Sequence, residues 1–166
     1  SITDGAEGEF YNDEYAPRVV INVPADRPGT QPLLITCSDP ANNTSESVGV
    51  EYVLDNLAPL VGARQSRVSI NGGATATSRR TVLLAITAID NEGGSGVHQM
   101  AVGHGVLDCG TAQYEPYRTE LSWTLESGNG DKRVSVCLKD KAGNIAQVSD
   151  TITLDTVPPQ GALAIV

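Results

Sequence analysis

Short stretches in which apolar and polar residues alternate run along the chain, and they predict β-strands rather than helices. Every second residue from Val82 to Ala88 is apolar, and so is every second residue from Val134 to Leu138. Clusters of glycine, asparagine, aspartate and proline separate these stretches. The strands predicted in this way are residues 81–90, 97–103, 118–125, 132–140 and 150–155. Each is expected to bury one face.

One sequence pattern occurs twice, with the second copy about one hundred residues after the first. Residues 55–59 (DNLAP) are matched by residues 155–159 (DTVPP), and residues 33–43 are matched by residues 134–144. The repeat predicts a domain organisation of three parts. These are the C-terminal part of a module over residues 1–56, a complete module over 57–156, and the first strand of a following module or a linker over 157–166.

The density of predicted strands in the complete copy indicates the fold class. About seven short strands in roughly one hundred residues, with turn signals about every 8 to 12 residues, are typical of an antiparallel two-sheet sandwich. No stretch has the period of an amphipathic helix. We therefore predict an all-β chain of tandem sandwiches in which the first copy is incomplete.

Composition and charge exclude several functions. The net charge is −9 and the longest basic cluster is Arg79-Arg80, which argues against nucleic acid and anionic membranes as partners. No apolar run approaches the ~18 residues of a membrane span, so direct membrane insertion is not expected. His98, His104 and Cys109 lack the spacing of a zinc site, and no nucleophile motif is present. The chain is therefore not expected to be an enzyme.

Residues 134–144 (VSVCLKDKAGN), followed by a strand that ends in TITLDTVPP, resemble the bacterial immunoglobulin-like (Big-type) repeats of large surface and secreted proteins. Residues 90–97 (DNEGGSGV) are similar to the Asp…Gly-Ser-Gly-Val stretch of the same repeats. The resemblance covers nearly all of residues 57–160 and the latter half of the copy at 17–56. It implies immunoglobulin-like sandwiches, an extracellular or cell-surface location in a bacterium, neighbouring repeats as partners, and a role as stalk, spacer or adhesin arm.

Oxygen-bearing side chains near the module junction make calcium the candidate ion, although no cofactor is expected to be required. Calcium takes six to eight oxygen ligands from several loops. The candidate ligands are Asp55, Asn56, Asp90, Asn91, Glu92 and Asp155. A dry junction stiffened by proline is the alternative, and Asp140 is either the cap of a structural turn or a further ligand. The acidic stretch 4–14 is either a solvated loop or a site for a hard cation.

Strand parity distinguishes the cysteines. Cys137 falls on the face opposite to buried Val136 and is predicted to face the surface, where it would suit a disulfide to Cys109. Such a bridge would pin the extra segment 103–117 over the sheet. Cys37 aligns with a buried position and is expected to be a small buried hydrophobe.

Two alternative functions stay open. In the first, Tyr114 and Tyr117 of segment 103–117 contact a glycan or a protein, because tyrosines in loops give contact area at small entropic cost. In the second, residues 160–166 of one chain pair with the open first copy of another chain and build a filament by strand exchange. Trp123 is either a core anchor or a platform on which a sugar stacks.

Overall fold

The computed structural model describes residues 2–3, 29–37 and 39–161. The acidic stretch 4–14 and most of the predicted exchange strand, residues 162–166, lie outside the described residues. In the described part, no helix is long and apolar enough to cross a membrane. Its β-strands are β1 Ile2–Thr3, β2 Gly29–Ile35, β3 Val48–Leu54, β4 Arg67–Ile70, β5 Ala76–Thr77, β6 Thr81–Thr87, β7 Val97–His104, β8 Glu115–Pro116, β9 Glu120–Thr124, β10 Gly130–Asp140 and β11 Ile145–Leu154.

The chain divides into two compact units after Asn56, where the sequence analysis placed a module boundary. The first unit comprises residues 1–56 together with Glu92–Ser95, and the second comprises residues 57–91 and 96–166. The four residues Glu92–Ser95 therefore pack with the first unit, although the sequence assigns them to the complete module.

The second unit is an immunoglobulin-like sandwich of two sheets. One sheet has the strand order β4-β6-β9, and the other has the order β5-β11-β10-β7-β8. All of the strand pairs are antiparallel except β5 with β11, which is parallel. Because β6 and β9 lie in one sheet while β7, β10 and β11 lie in the other, the chain crosses between sheets as in an immunoglobulin fold. The predicted fold class is confirmed.

The core of the second unit lies between the two sheets and follows the predicted alternation. Val82, Leu84 and Ile86 on β6 are 3%, 0% and 2% exposed, and they pack with Val134 and Val136 of β10. Burying side chains of this size is worth about 1.5–3 kcal/mol each, so this layer holds the two sheets together.

The first unit contains a three-stranded antiparallel sheet with the order β1-β2-β3. Strands β2 and β3 pair so that Gly29 lies opposite Leu54. Strands β10 and β11 of the second unit pair with the same start, because Gly130 lies opposite Leu154. Both glycines have a positive φ, 104° for Gly29 and 109° for Gly130, which glycine adopts without steric cost.

The outer face of strand β10 is also buried, which corrects the predicted exposure of Cys137. Cys137 is 0% exposed and forms a disulfide with Cys109. Ser135, on the same face of the strand, donates to the carbonyl of Gly105. Parity placed Cys137 on the correct face, but the segment that follows β7 folds back over that face and excludes water from it.

Cys37 corrects a second expectation. It is exposed and forms no disulfide, whereas its alignment with a core position predicted burial. Strand β2 ends at Ile35, so Cys37 lies beyond the strand. The alternation of buried and exposed positions applies only while the chain stays in the sheet, and its extrapolation to Cys37 was wrong.

Candidate metal centre

The turn between β10 and β11 is organised by the carboxylate of Asp140. Its Oδ1 accepts from the backbone N–H of Gly143 at 2.7 Å and of Asn144 at 2.9 Å, and its Oδ2 accepts from Nδ2 of Asn144 at 2.9 Å. The backbone N–H of Asp140 donates to the carbonyl of Asn144 at 3.1 Å. Asp140 therefore caps a structural turn, which is one of the two roles predicted for it from the sequence.

Asp39 holds the turn between β2 and β3 in the same way. Its Oδ1 accepts from the N–H of Ala41 and of Asn43, both at 2.9 Å, and its Oδ2 accepts from Nδ2 of Asn43 at 2.8 Å. The hydrogen bond from the Asn43 side chain lowers the pKa of Asp39 below its usual value. The two turns differ in burial, because Asp39 is exposed and Asp140 is fully buried.

The two turns also contain different residues at their left-handed position. Gly143 has φ 98° in the second unit, and Asn42 has φ 65° in the first. Asparagine tolerates the left-handed region better than most residues. The departure of Asn42-Asn43 from the pattern of Gly143-Asn144 therefore leaves the turn geometry intact.

The carboxylate of Asp90 shapes the loop that enters β7. Its Oδ1 accepts from the N–H of Asn91 at 3.0 Å, and its Oδ2 accepts from the N–H of Gly96 at 2.6 Å. The carbonyl of Gly96 in turn accepts from the N–H of Lys141 at 3.1 Å. This chain of hydrogen bonds ties the Asp90 loop to the Asp140 turn.

Asp90 and Asp140 come together at this end of the second unit, with carboxylate oxygens within 4.8 Å of each other. Asp140 is fully buried and Asp90 is half-buried. Within the described ranges, neither carboxylate forms an ion pair with a basic side chain. Two negative charges this close repel each other, and partial burial strengthens the repulsion.

The same loop carries a buried oxygen that lacks a partner. The side-chain Oδ1 of Asn91 is inaccessible to solvent and accepts no hydrogen bond from the residues that the structure describes. Leaving a buried polar atom unpaired costs about 1–3 kcal/mol. This oxygen belongs to the residue that directly follows Asp90, and carboxylate and amide oxygens are the donors that a hard cation prefers.

Three further ligands predicted from the sequence are Asp55, Asn56 and Glu92. Asp55 is 7% exposed, and its Oδ2 accepts from the N–H of Ser95 at 2.7 Å and from its Oγ at 2.8 Å. Asn56 and Glu92 are exposed. The sequence analysis did not single out Ser95 as a partner of Asp55, although its Gly-Ser-Gly setting, which leaves the backbone N–H accessible, was a usable signal.

Asp155 does not belong to the acidic group of Asp90 and Asp140. It is exposed, and its Oδ1 accepts from Nδ2 of Asn129 at 3.4 Å and from the N–H of Val157 at 3.0 Å. Matching sequence positions, Asp55 and Asp155, thus have different burial and different partners.

Both tyrosines of segment 103–117 have contacts inside the second unit. Tyr114 lies 4.0 Å, ring centroid to Nζ, from Lys139 and donates its hydroxyl to the carbonyl of Cys109 at 3.0 Å. Tyr117 packs against the core and donates to the carbonyl of Ile86 at 2.9 Å. Burial raises the pKa of both phenols. These contacts hold both side chains against the second unit. A role of the tyrosines in ligand binding stays a prediction.

Trp123 packs against the core from β9, in the position of a core anchor. Its ring centroid lies 4.9 Å from that of His104.

No model of a protein family matches the sequence, and no curated protein matches it. Among solved structures, the chain is similar to the PKD1 domain of the metalloprotease PrtV from Vibrio cholerae, with 17% identity and a TM-score of 0.41 over 60% of this chain and 100% of that one. It is also similar to the PKD1 domain of Epp from Vibrio anguillarum, with 17% identity and a TM-score of 0.40 over 62% of this chain and 100% of that one. At this level of similarity the matches assign no function to the chain.

Proposed function

We propose that this chain is a non-catalytic, extracellular immunoglobulin-like segment of a large bacterial surface or secreted protein, in which it serves as a stalk or spacer. A spacer of this kind would work by repetition of one module, because each added sandwich moves a distal domain further from its anchor. Neighbouring repeats of the same protein are then its main partners, and the short links with Pro59 and Pro158-Pro159 restrict bending at each junction.

One observation carries the proposal. In both the Asp39 turn and the Asp140 turn, the carboxylate accepts from two backbone N–H groups and from the side-chain amide of the asparagine four residues later. The strand pairs β2–β3 and β10–β11 that flank these turns start with the same register. A recurring substructure of this kind is expected of a tandem array.

Labelling of intact cells of the source bacterium tests the location. An antibody raised against the purified chain should label cells whose membranes have not been permeabilised, or should detect the protein in the culture medium. Labelling that appears only after permeabilisation would overturn the proposal, with an antibody to a cytosolic protein as the control for cell integrity.

We further propose that calcium stabilises this segment by binding at Asp90 and Asp140. The cation would neutralise the two carboxylates and would take the orphaned Oδ1 of Asn91 as an additional ligand. In the hydrogen bonds described above, each carboxylate retains unused acceptor capacity on its oxygens. Asp55 remains a ligand predicted from the sequence.

The replacement Asp90→Asn separates the charge of the site from its shape. Without calcium, Asp90→Asn should change the melting temperature little, because it removes one of two repelling charges but also the acceptor of one of the two N–H groups that Asp90 binds. With calcium, the original chain should gain at least about 1 kcal/mol, whereas Asp90→Asn should gain little. Differential scanning calorimetry with calcium and with chelator measures both effects.

Asp131→Asn is the matched control, because Asp131 is an exposed carboxylate that accepts from Thr153 elsewhere on the same unit. It should keep the full response to calcium. A melting temperature of the original chain that is the same with calcium and with chelator would refute the calcium proposal and leave the spacer proposal standing.

A further inference from the structure

The corner where β2 begins and β3 ends holds a loop that comes from much later in the sequence. Gly29 starts β2 opposite Leu54, and Asp55 follows directly. The loop is Glu92–Ser95, which belongs to the first unit. A Cβ built on Gly93 would lie 3.8 Å from the Cα of Gly29. The corner thus receives a glycine-rich loop at van der Waals distance from Gly29.

Asp55 fixes that loop by its carboxylate. A single oxygen, Oδ2, accepts both the backbone N–H and the hydroxyl of Ser95, at 2.7 and 2.8 Å. Hydrogen bonds to an ionised acceptor are about twice as strong as neutral ones, and Asp55 is almost fully buried. The pair of bonds selects a residue that offers a backbone N–H and a hydroxyl together.

The second unit has a corner with the same residue types in the same arrangement. Gly130 starts β10 opposite Leu154, and Asp155 follows directly. Gly130 has nearly the same positive φ as Gly29, and a Cβ built on either glycine would meet no atom within 4 Å. The two corners thus share a glycine with positive φ and an aspartate that directly follows the paired leucine.

The corner of the second unit is exposed in this chain. Residues 126–130 and Asp155 are all exposed. Asp155 uses its Oδ1 for Asn129 and Val157, and no hydrogen bond of the described residues uses its Oδ2. In the first unit, one carboxylate oxygen of Asp55 is occupied by Ser95.

From this correspondence we propose that the corner of Asn129, Gly130 and Asp155 is a docking surface for the Gly-Gly-Ser-Gly loop of a following copy of the module. Asp155 accepts the backbone N–H and the hydroxyl of the serine that corresponds to Ser95 in that copy. This inference rests on the proposed tandem array and names the contact by which successive modules would be held. The partner is a repeat of the same kind, recognised by a carboxylate on one side and a serine flanked by glycines on the other.

An extended chain tests the contact. In it, residues 60–166 are appended a second time directly after Pro159, and Trp123 of the first copy is changed to phenylalanine so that fluorescence reports only the appended copy. Asp155→Ala in the first copy should lower the unfolding midpoint of the appended copy by about 5 °C or more, since two hydrogen bonds to a charged group are lost. Ser95→Ala in the appended copy should have a similar effect.

The double variant decides whether the two residues act on each other. Asp155→Ala combined with Ser95→Ala of the appended copy should cost clearly less than the sum of the single shifts. Glu126→Ala is the control, because Glu126 is an exposed acid next to the corner and should leave the appended copy unchanged. An unchanged midpoint in Asp155→Ala, or additive single shifts, overturns the inference.

Failure here is separable from failure of the spacer proposal. Additive shifts in an extended chain whose source protein is labelled on intact cells would reject only the docking contact. Absence of surface labelling would reject the spacer role whatever Asp155 does.

Discussion

At the scale of single residues, Asp39 and Asp140 show how burial changes the value of one set of contacts. Both carboxylates accept two backbone N–H groups and one asparagine amide. Water reaches the carboxylate of exposed Asp39 and can replace it, whereas the carboxylate of Asp140 is fully buried and water cannot take its place without a rearrangement of the turn. The sequence presents the two turns as equivalents and does not show that their burial differs.

This difference yields a matched pair of replacements. Asp140→Ala should lower the free energy of unfolding of the second unit by about 3 kcal/mol or more, because it removes a fully buried carboxylate that accepts three hydrogen bonds. Asp39→Ala should have a far smaller effect on the first unit, because water reaches its donors. Urea unfolding of the full chain measures both, and equal losses in the two variants would contradict the argument from burial.

The pKa of Asp39 gives a prediction for acid conditions. Because hydrogen bonding to Asn43 lowers this pKa in the folded chain, the ionised form stabilises the turn above the unfolded value of about 3.9, and this contribution disappears as the pH falls through the lower folded value. Asn43→Ala should move the pKa of Asp39 back towards its usual value. A pH titration of the Asp39 carboxyl by NMR measures it, and an unchanged pKa in the variant would contradict the stated cause.

Residue-level prediction from the sequence succeeded where the local pattern is sufficient. The alternation from Val82 to Ile86 correctly gave the core face of β6, because a strand turns successive side chains to opposite sides. Burial of Cys137 was missed, since alternation gives the face of a residue and not what covers that face. The proximity of Asp90 and Asp140 depends on two loops that meet only in the folded sandwich, so their spacing could only suggest it.

At the scale of elements, the segment after β7 is the main addition to the sandwich. Leu107 packs on Gly103, where a Cβ would lie 2.8 Å from its Cδ1, and the carbonyl of Leu107 accepts from Nε2 of Gln147 at 2.7 Å. The Cys109–Cys137 disulfide fixes the segment to β10. It joins a loop to one sheet and does not bridge the two sheets, so the core can form without it.

Breaking this disulfide should therefore loosen the segment and leave the sandwich folded. Cys109→Ser with Cys137→Ser should cost about 3–4 kcal/mol in the chain-entropy treatment of the loop between the two cysteines, which are 28 positions apart. The β-sheet circular dichroism should persist. Urea unfolding measures the loss, and Cys37→Ser, which removes a free thiol, is the control. Loss of the sheet signal in water would contradict the view that the core is independent of the bridge.

The strands that the sequence analysis missed are short or paired over long distances. Strand β5 has two residues and pairs in parallel with β11, so nothing in its own sequence predicts the pairing. Strand β8 also has two residues and contains Pro116, which usually argues against a strand. Both lie at the edges of their sheet, where pairing is set by the rest of the fold.

At the scale of the whole molecule, sequence repetition and spatial division follow different boundaries. The repeat predicts one module over residues 57–156, but Glu92–Ser95 pack with the first unit. The hydrogen bonds from Ser95 to Asp55 hold this loop in the first unit. A periodic sequence shows which residues are equivalent, and it does not show which unit a loop packs against.

Hydrogen exchange should reveal this division. The backbone N–H of Ser95 donates to Asp55, so its protection should follow unfolding of the first unit rather than that of β10 and β11. Asp55→Ala should accelerate exchange at Ser95 and leave exchange in β10 unchanged. Exchange at Ser95 that tracks the amides of β10 across denaturant concentrations would contradict this assignment.

The placement of Glu92–Ser95 bears on how such proteins are dissected in the laboratory. Expression boundaries are commonly chosen where one repeat ends, which here would be after Asn56. A fragment starting at Leu57 would keep Glu92–Ser95 but lose Asp55, the residue that holds Ser95, and would present a frayed loop in place of a bound one. Such a fragment would then understate the stability that the loop has in the full chain, and a fragment that keeps β2 and β3 is the better choice for measuring it.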